Sequence, residues 1–438
     1  MNTSIQAAHL PAISIDGDRL WQSLMELARI GATPKGGNCR LALTALDGEG
    51  RDLVVGWMKD AGLDVRVDQL GNIFGRRAGR DPARAAVITG SHIDTQPTGG
   101  KFDGCYGVMA GLEIMRTLNE HGVQTEAPLE LAIWTNEEGS RFLPVMMGSG
   151  VFTGRFTLEA ALDARDTAGL SVHDELKAIG YAGAEPVGGR PVDAYFEAHI
   201  EQGPVLEFEN RVVGAVTGSL GVRWYDVTVT GMEMHAGPTP MPVRKDALQA
   251  AAEVVLGVIR IANANAPYGR GTVGVLNVYP ASRNVVPGRV DFTVDLRHID
   301  ASTLDAMDGR LRESCEDVAV RLGVQIELRL AQYNKPTPFD PALVELVRQG
   351  AARRGLPVMD IVTGAGHDAV NMAMVYPTAM VFVPCKDGVS HNETEDALPA
   401  HLEAGCNVLL DAMLARAGVT FCPRSSTDPR DQHVPAQP

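Results

Sequence analysis

The sequence predicts an α/β protein: a mixed, mostly parallel sheet flanked by helices, with a smaller βαββαβ unit inserted into it. Three observations predict this. Strand-like and helix-like segments alternate through the first half of the 438-residue chain, the pattern changes near Gly221, and it resumes after residue 332.

The first half supplies the large sheet. "AAVITG" reads as a strand, and "VMAGLEIMRTLNEHG" has apolar residues at helical spacing. "PLELAIWT" reads as a buried strand and "AYFEAHI" as another. That alternation implies a mostly parallel sheet with helices packed on it.

The inserted unit follows from about Gly221. "VRWYDVTVT" is a strand and "RKDALQAAAEVVLGVIRIANA" a long amphipathic helix. "GTVGVLNVYP" and "RVDFTVDLR" are strands, "STLDAMDGRLRESCEDVAVRLG" a second helix and "VQIELRL" a last strand. Val290, Phe292, Val294 and Leu296 alternate with Asp291, Thr293, Asp295 and Arg297, and Val324, Ile326, Leu328 and Leu330 alternate with polar residues in the same way. Such alternation gives a sheet with one buried face. After "KPTPFD" the earlier rhythm returns with "PALVELVRQGAARRG" and "TAMVFVPC". The expected domains are therefore 1–217 with 333–421, interrupted by 218–332. The tail 422–438 is polar and proline-rich and reads as disordered.

Bulk properties exclude several classes of function. Hydrophobic residues make up 45% and charged residues 21%, an ordinary globular balance. A formal charge of −15 leaves no basic stripe to replace phosphate counterions, which argues against nucleic acid and against anionic membrane surfaces. The start "MNTSIQAAHLPAISIDGDRL" lacks a basic segment followed by an apolar run. No stretch reaches the roughly 18 apolar residues of a spanning helix. The longest candidate, Ala369 to Cys385, is interrupted by Asn371, Pro377, Thr378 and Pro384. Cysteines at 39, 105, 315, 385, 406 and 422 form no CxxC pair, so neither a disulfide framework nor a Cys-rich zinc site is expected, and a reducing cytoplasm is the plain reading.

Four segments place metal-ligand residue types at or just beyond the C-terminal end of a predicted strand, where sites form in open α/β sheets. "AAVIT" leads to His92, "LELAIWT" to Glu137 and Glu138, "AYFEA" to His199, and "AMVFVPC" through a short loop to His391. Asp103 stands in the broken stretch "SHIDTQPTGGKFDG". His92, Asp103, Glu138, His199 and His391 make a mixed nitrogen–oxygen set suited to Zn²⁺ and its first-row neighbours. With Asp103 bridging, two metals could each take two further protein ligands. Asp94 lies two residues after His92, where its carboxylate could accept the imidazole's other N–H. Each piece alone has an ordinary alternative: a structural histidine, a solvated pair of glutamates at a helix start, an aspartate in a turn.

The segments "GSHIDTQPTGGKFDGCYGV", "NEEGSRF", "EAHIEQGP", "GMEMHAGPTPM", "RNVVPG", "TGAGHDA" and "GVSHNETE" resemble, in order, the signatures of the hydantoinase/carbamoylase group of M20-type amidohydrolases. The resemblance covers nearly the whole chain to about residue 415. It implies a zinc-peptidase-like catalytic domain with a ferredoxin-like inserted domain that serves as lid and dimerisation surface, and a homodimer. It implies two divalent ions, zinc by default, with manganese, cobalt or nickel as alternatives. His92, Asp103 and His199 match the ligands of one ion, and Asp103, Glu138 and His391 those of the other. Glu137 matches the general base acting on the water between them. His235 matches the residue that stabilises the oxyanion. Gln202, Asn284 and Arg297 match positions that hold the substrate, and the Gly364–Ala369 loop, with Gly366 and His367, matches a segment lining the same pocket. For Arg297 a salt bridge with Asp295 is the alternative. Met232, Glu233 and Met234, and the stretch Cys385–Lys386–Asp387, depart from the usual pattern and bear on pocket shape.

The implied reaction is hydrolysis of the ureido C–N bond of an N-carbamoyl amino acid, either an N-carbamoyl-L-amino acid or N-carbamoyl-β-alanine. "DTQPTGGKFDG" resembles these members more than the allantoate amidohydrolases, which are the near alternative. An N-acyl-amino-acid deacylase or aminopeptidase, a binding protein without chemistry, and a thiol enzyme using Cys105 or Cys385 are the others.

Overall fold

In a computed structural model the described residues are 12–420. The tail 422–438 and Cys422 lie outside them. The chain divides into two compact units. One takes in the chain up to residue 213, residues 345–358 and the chain from residue 380; the other takes in 214–344 and 359–379.

The first unit holds a mixed sheet whose neighbouring strands run Asp64–Val67, Ile73–Arg77, Leu129–Trp134, Ala86–His92, Val192–Ile200 and Thr378–Val383. Ala86–His92 pairs in parallel with Leu129–Trp134 on one side and Val192–Ile200 on the other. Both central strands, Ala86–His92 and Leu129–Trp134, are buried at every position, which is why their sequences are near-continuous apolar runs. The helix Cys105–Glu120 packs on them, and Pro399–Ala417 packs on Val192–Ile200. The sequence reading passes over one hairpin, Asp64–Val67 with Ile73–Arg77, which adds antiparallel strands at the edge. The outer strand is only four residues of partly exposed, charged "DVRV", too short for a periodic signal.

The second unit holds an antiparallel sheet with neighbours in the order Arg270–Thr272, Arg289–His298, Gly221–Thr230 and Gln325–Asn334, while Leu276–Tyr279 also pairs with Arg289–His298. The helices Ala247–Asn263 and Ala301–Leu322 cover one face. Tyr225, Val227, Val229, Val290, Phe292, Val294 and Leu296 point into a core shared with Val254, Val258, Leu304, Met307 and Leu311. Asp246 and Asp300 cap the two helices through their side chains, and Gly323 ends the second with φ +64°. Two local expectations need correction. "GTVGVLNVYP" is two short strands interrupted around Gly274, where no side chain helps to hold the pleat. Leu330 is exposed, because the register of its edge strand shifts between Leu330 and Gln332. The unit also contains Val213–Ser219, which pairs with Val358–Thr363 and Thr337–Pro338, and the helix Asp368–Ala373. Among the described residues no helix is long and apolar enough to cross a membrane.

Candidate metal centre

Parallel strands end on one edge of the first unit's sheet, and the chain leaves that edge in loops. His92 is the last residue of its strand, His199 the penultimate residue of its own, and Glu137 and Glu138 follow Trp134 by a short turn. His391 sits in the loop after Thr378–Val383 with φ +53°, a left-handed conformation that few non-glycine residues adopt. The "SHIDTQPTGGKFDG" stretch is broken because it must fold back on its own first histidine. Gly104 has φ +66°, and a Cβ there would lie 2.4 Å from the His92 ring. Only glycine satisfies both conditions.

Asp103 stands at the centre. Its Oδ1 is 3.2 Å from His199 Nε2 and 3.6 Å from His92 Nε2, and its Oδ2 is 3.2 Å from His391 Nε2. His391 Nε2 is in turn 3.4 Å from Glu138 Oε2. Two donor groups result, His92–Asp103–His199 and Asp103–Glu138–His391, each with its ligand atoms within 4.8 Å of one another. Glu137 falls in neither group, yet its Oε2 is 3.5 Å from His92 Nε2. His92 Nδ1 lies 2.9 Å from the carbonyl of Asp94 and His199 Nδ1 2.8 Å from that of Ile200. A carbonyl can only accept, so each Nδ1 carries a proton, and in the neutral ring Nε2 holds the lone pair that an ion would take. The Gly104 N–H donates to His199 Nε2 at 3.1 Å, consistent with that lone pair.

The expected role of Asp94 needs correction. Its Oδ1 is 3.8 Å from His92 Nδ1, beyond hydrogen-bond reach, because the backbone carbonyl of Asp94 already takes that proton. The carboxylate instead accepts the backbone N–H groups of Glu137 and Glu138, both at 3.2 Å.

Electrostatics mark this cluster as a place for cations. Asp94, Asp103, Glu137, Glu138 and Glu395 are all buried within it. Burial, and then the nearby Asp103 charge, push the Glu138 carboxyl up to about 7 and the Glu395 carboxyl up to about 7. Burial would raise Asp103 as well, but hydrogen bonds from the surrounding imidazoles hold it well below the usual carboxylate range. The Asp103 hydrogen bond raises His391 to about 9, against the opposing effect of burial. Carboxylates crowded out of water need positive charge close by. Two sets of imidazole nitrogens and carboxylate oxygens sharing one buried aspartate, the first set buried and the second reaching the surface at exposed His391, fit divalent ions.

Around the donors, Gln202 donates from Nε2 to Asp103 Oδ2 at 2.8 Å, while its buried Oε1 has no hydrogen-bond partner among the described residues. Two further residues were missed in the sequence. Gln96 donates to Glu138 Oε2 at 2.6 Å and is itself held by Ser140, and Glu395 accepts the backbone N–H groups of Phe102 and Asp103. Both stand inside motif segments already quoted, so their signal was position beside a ligand.

The other site residues belong to the second unit. His235 is exposed, and its Nδ1 accepts the Gly237 N–H. Asn284 is exposed, and its side-chain oxygen accepts from Ser282. Arg297 is held by Asp295, with Nη2 2.6 Å from Oδ2, and donates from Nη1 to the carbonyl of Gly364. Gly366 is exposed in the loop before the helix Asp368–Ala373, and buried His367 is 2.9 Å from Thr363 Oγ1 through Nε2. The two thiols weighed as nucleophiles are buried. Burial raises Cys105, whose sulfur is 3.1 Å from Arg40 Nη2, and raises Cys385 to about 12. Neither is a ready thiolate.

Comparison with known proteins gives a consistent result. The pattern of peptidase family M20/M25/M40 matches residues 88–415. An N-carbamoyl-L-amino-acid amidohydrolase of Rhizobium meliloti is 48% identical over 405 residues, covering 92% of this chain and 97% of that protein. The N-carbamoyl-L-amino acid amidohydrolase of Geobacillus stearothermophilus is 39% identical over 402 residues, covering 90% of this chain and 97% of that protein. Among solved structures, an amidase of the hydantoinase/carbamoylase family from Burkholderia multivorans superposes with a TM-score of 0.91 at 59% identity, covering 93% of this chain and 99% of that one.

Proposed function

The chain belongs to peptidase family M20/M25/M40, and on that premise we propose that it is a metal-dependent amidohydrolase cleaving the ureido C–N bond of N-carbamoyl amino acids. The observation that carries the reading is a pair of donor groups sharing Asp103, with Glu137 beside them and spent in neither. The substrate class is supported by the similarity, across nearly the full chain, to amidohydrolases that act on N-carbamoyl-L-amino acids.

Two divalent ions, zinc by default with manganese, cobalt or nickel also suited to these donors, would acidify water and polarise the substrate carbonyl. His92, Asp103 and His199 would hold one, and Asp103, Glu138 and His391 the other. Glu137 takes the proton as water adds to the ureido carbon, then delivers it to the departing nitrogen. Such general-base assistance is typically worth about 10²–10⁴ in rate. The C–N bond to the amino acid nitrogen breaks, releasing the amino acid and carbamic acid, and the carbamic acid falls apart to ammonia and carbon dioxide. Gln202 offers its partnerless Oε1 to a substrate N–H. By matched motif, His235 stabilises the oxyanion, and Asn284, Arg297, Gly366 and His367 hold the substrate. By the same match, residues 218–332 form a lid and homodimer surface; scattered cysteines without a CxxC pair favour a reducing cytoplasm as the setting.

The test is a substrate panel with the ion-reconstituted full chain. N-carbamoyl-α-amino acids and N-carbamoyl-β-alanine should be turned over faster than allantoate and dipeptides. Faster allantoate cleavage, or dipeptide cleavage without ureido activity, overturns the assignment.

A further inference from the structure

We propose that Glu395 is a positioning residue for the ion of the Asp103–Glu138–His391 group, acting through the backbone of Asp103 and through the hydroxyl of Ser390. The inference rests on the two-ion reading above.

Glu395 is 2% exposed, and the hydrogen bonds it accepts come from uncharged donors. Its Oε1 accepts the N–H of Phe102 at 2.9 Å and of Asp103 at 3.1 Å, so it grips the shared ligand by its backbone. The loop packs tightly against the carboxylate: a Cβ at Gly100 would lie 2.1 Å from Oε1. Its Oε2 accepts from Ser390, the residue before His391, at 2.9 Å. Glu395 therefore ties the loop carrying Asp103 to the loop carrying His391. By contrast, His92 and His199 are oriented by strand ends and by carbonyls of their own chain neighbours.

Ser390 shows why the carboxylate matters. Its Oγ is 2.9 Å from Glu395 Oε2, 3.2 Å from Asp103 Oδ2 and 3.2 Å from Gln202 Nε2. Gln202 can only donate through Nε2, so the hydroxyl accepts there and has one proton to give. The shorter bond sends that proton to Glu395. Asp103 Oδ2, which faces His391 and Glu138 and already accepts from Gln202 Nε2 at 2.8 Å, thus keeps its remaining lone pair for an ion. Without a carboxylate at 395, the hydroxyl proton turns to Asp103 Oδ2 and competes with the ion for that oxygen.

The experiment measures zinc stoichiometry and affinity, by chelator competition on the full chain, for the wild type, Glu395→Gln, Ser390→Ala and the double variant. Glu395→Gln should bind one ion like the wild type and the other about 10–100-fold more weakly, the range usual for a partner that orients a ligand. Adding Ser390→Ala should recover part of that loss, because the competing proton is gone. Ser390→Ala alone should bind both ions at least as tightly as the wild type, a check that stands even if Glu395→Gln does not fold. Equal affinities in Glu395→Gln and wild type, equal weakening of both ions, or a deeper loss in the double variant overturns the proposal, as does weaker binding in Ser390→Ala. A wild type that binds fewer than two ions overturns the two-ion reading itself.

Discussion

Asp94 holds Glu137 by its backbone: Asp94 Oδ1 accepts the Glu137 N–H at 3.2 Å, and Oδ2 does the same for Glu138. One carboxylate thus sets the start of the turn from which both glutamates project. Asp94→Asn replaces one acceptor oxygen by a donor and leaves a buried N–H unpaired, a change that costs about 1–3 kcal/mol. The expected result is a lower melting temperature together with a fall in kcat. Wild-type kcat in a folded Asp94→Asn protein would show that the grip is irrelevant to the glutamates' work.

The adjacent glutamates should separate cleanly by substitution. Glu137→Gln should retain its metal content and lose about 10²–10⁴ in kcat if, as proposed, the base alone is removed. Glu138→Ala should lose occupancy of one ion. Atomic-absorption analysis of both dialysed proteins checks this, and an equal drop in metal content would contradict the division between base and ligand.

Gly104→Ala tests the close approach to His92. The added methyl would meet the ring at 2.4 Å while the backbone stays at φ +66°. His92 must move, so ion binding at the His92–Asp103–His199 group should weaken at least about tenfold. Calorimetric titration with zinc would expose an unchanged affinity.

Chelation should abolish turnover, and restoring a divalent ion should recover it. Thiol alkylation of the folded protein should leave activity intact, because Cys105 and Cys385 are buried and burial raises both. The reverse pattern would indicate a cysteine nucleophile.

Ion uptake should depend on pH in a definite direction. In the ion-free protein the Asp103 hydrogen bond holds His391 at about 9, so the ring is protonated near neutrality. Coordination needs its lone pair, so binding must release that proton. Affinity for the ion should rise with pH up to about 9 and then level. Calorimetry in buffers of different ionisation enthalpy reads the proton directly, and no release at pH 7 would place the raised value elsewhere.

Much of the site was legible because ligand chemistry restricts residue types. His92, Glu138, His199 and His391 stood out as imidazoles and carboxylates at strand ends, and the structure brings them around Asp103. Glu395 and Gln96 were not legible: a glutamate in "NETE" or a glutamine in "DTQP" carries no sign of burial or of which backbone amide it will meet. In the sequence Asp94 reads as a partner of the His92 ring, but the loop geometry gives that proton to the Asp94 carbonyl.

From residue order alone came the α/β class, the second compact sheet with its two helices, and the candidate ligands that the structure gathers around Asp103. Periodicity and donor chemistry are properties of neighbours along the chain, so they survive without coordinates. Folding decided which oxygen of Asp103 faces which imidazoles, which glutamate stays outside the donor groups, and where each buried proton resides. Those depend on distances of a few ångströms between segments far apart in the chain, set by packing that no local pattern encodes.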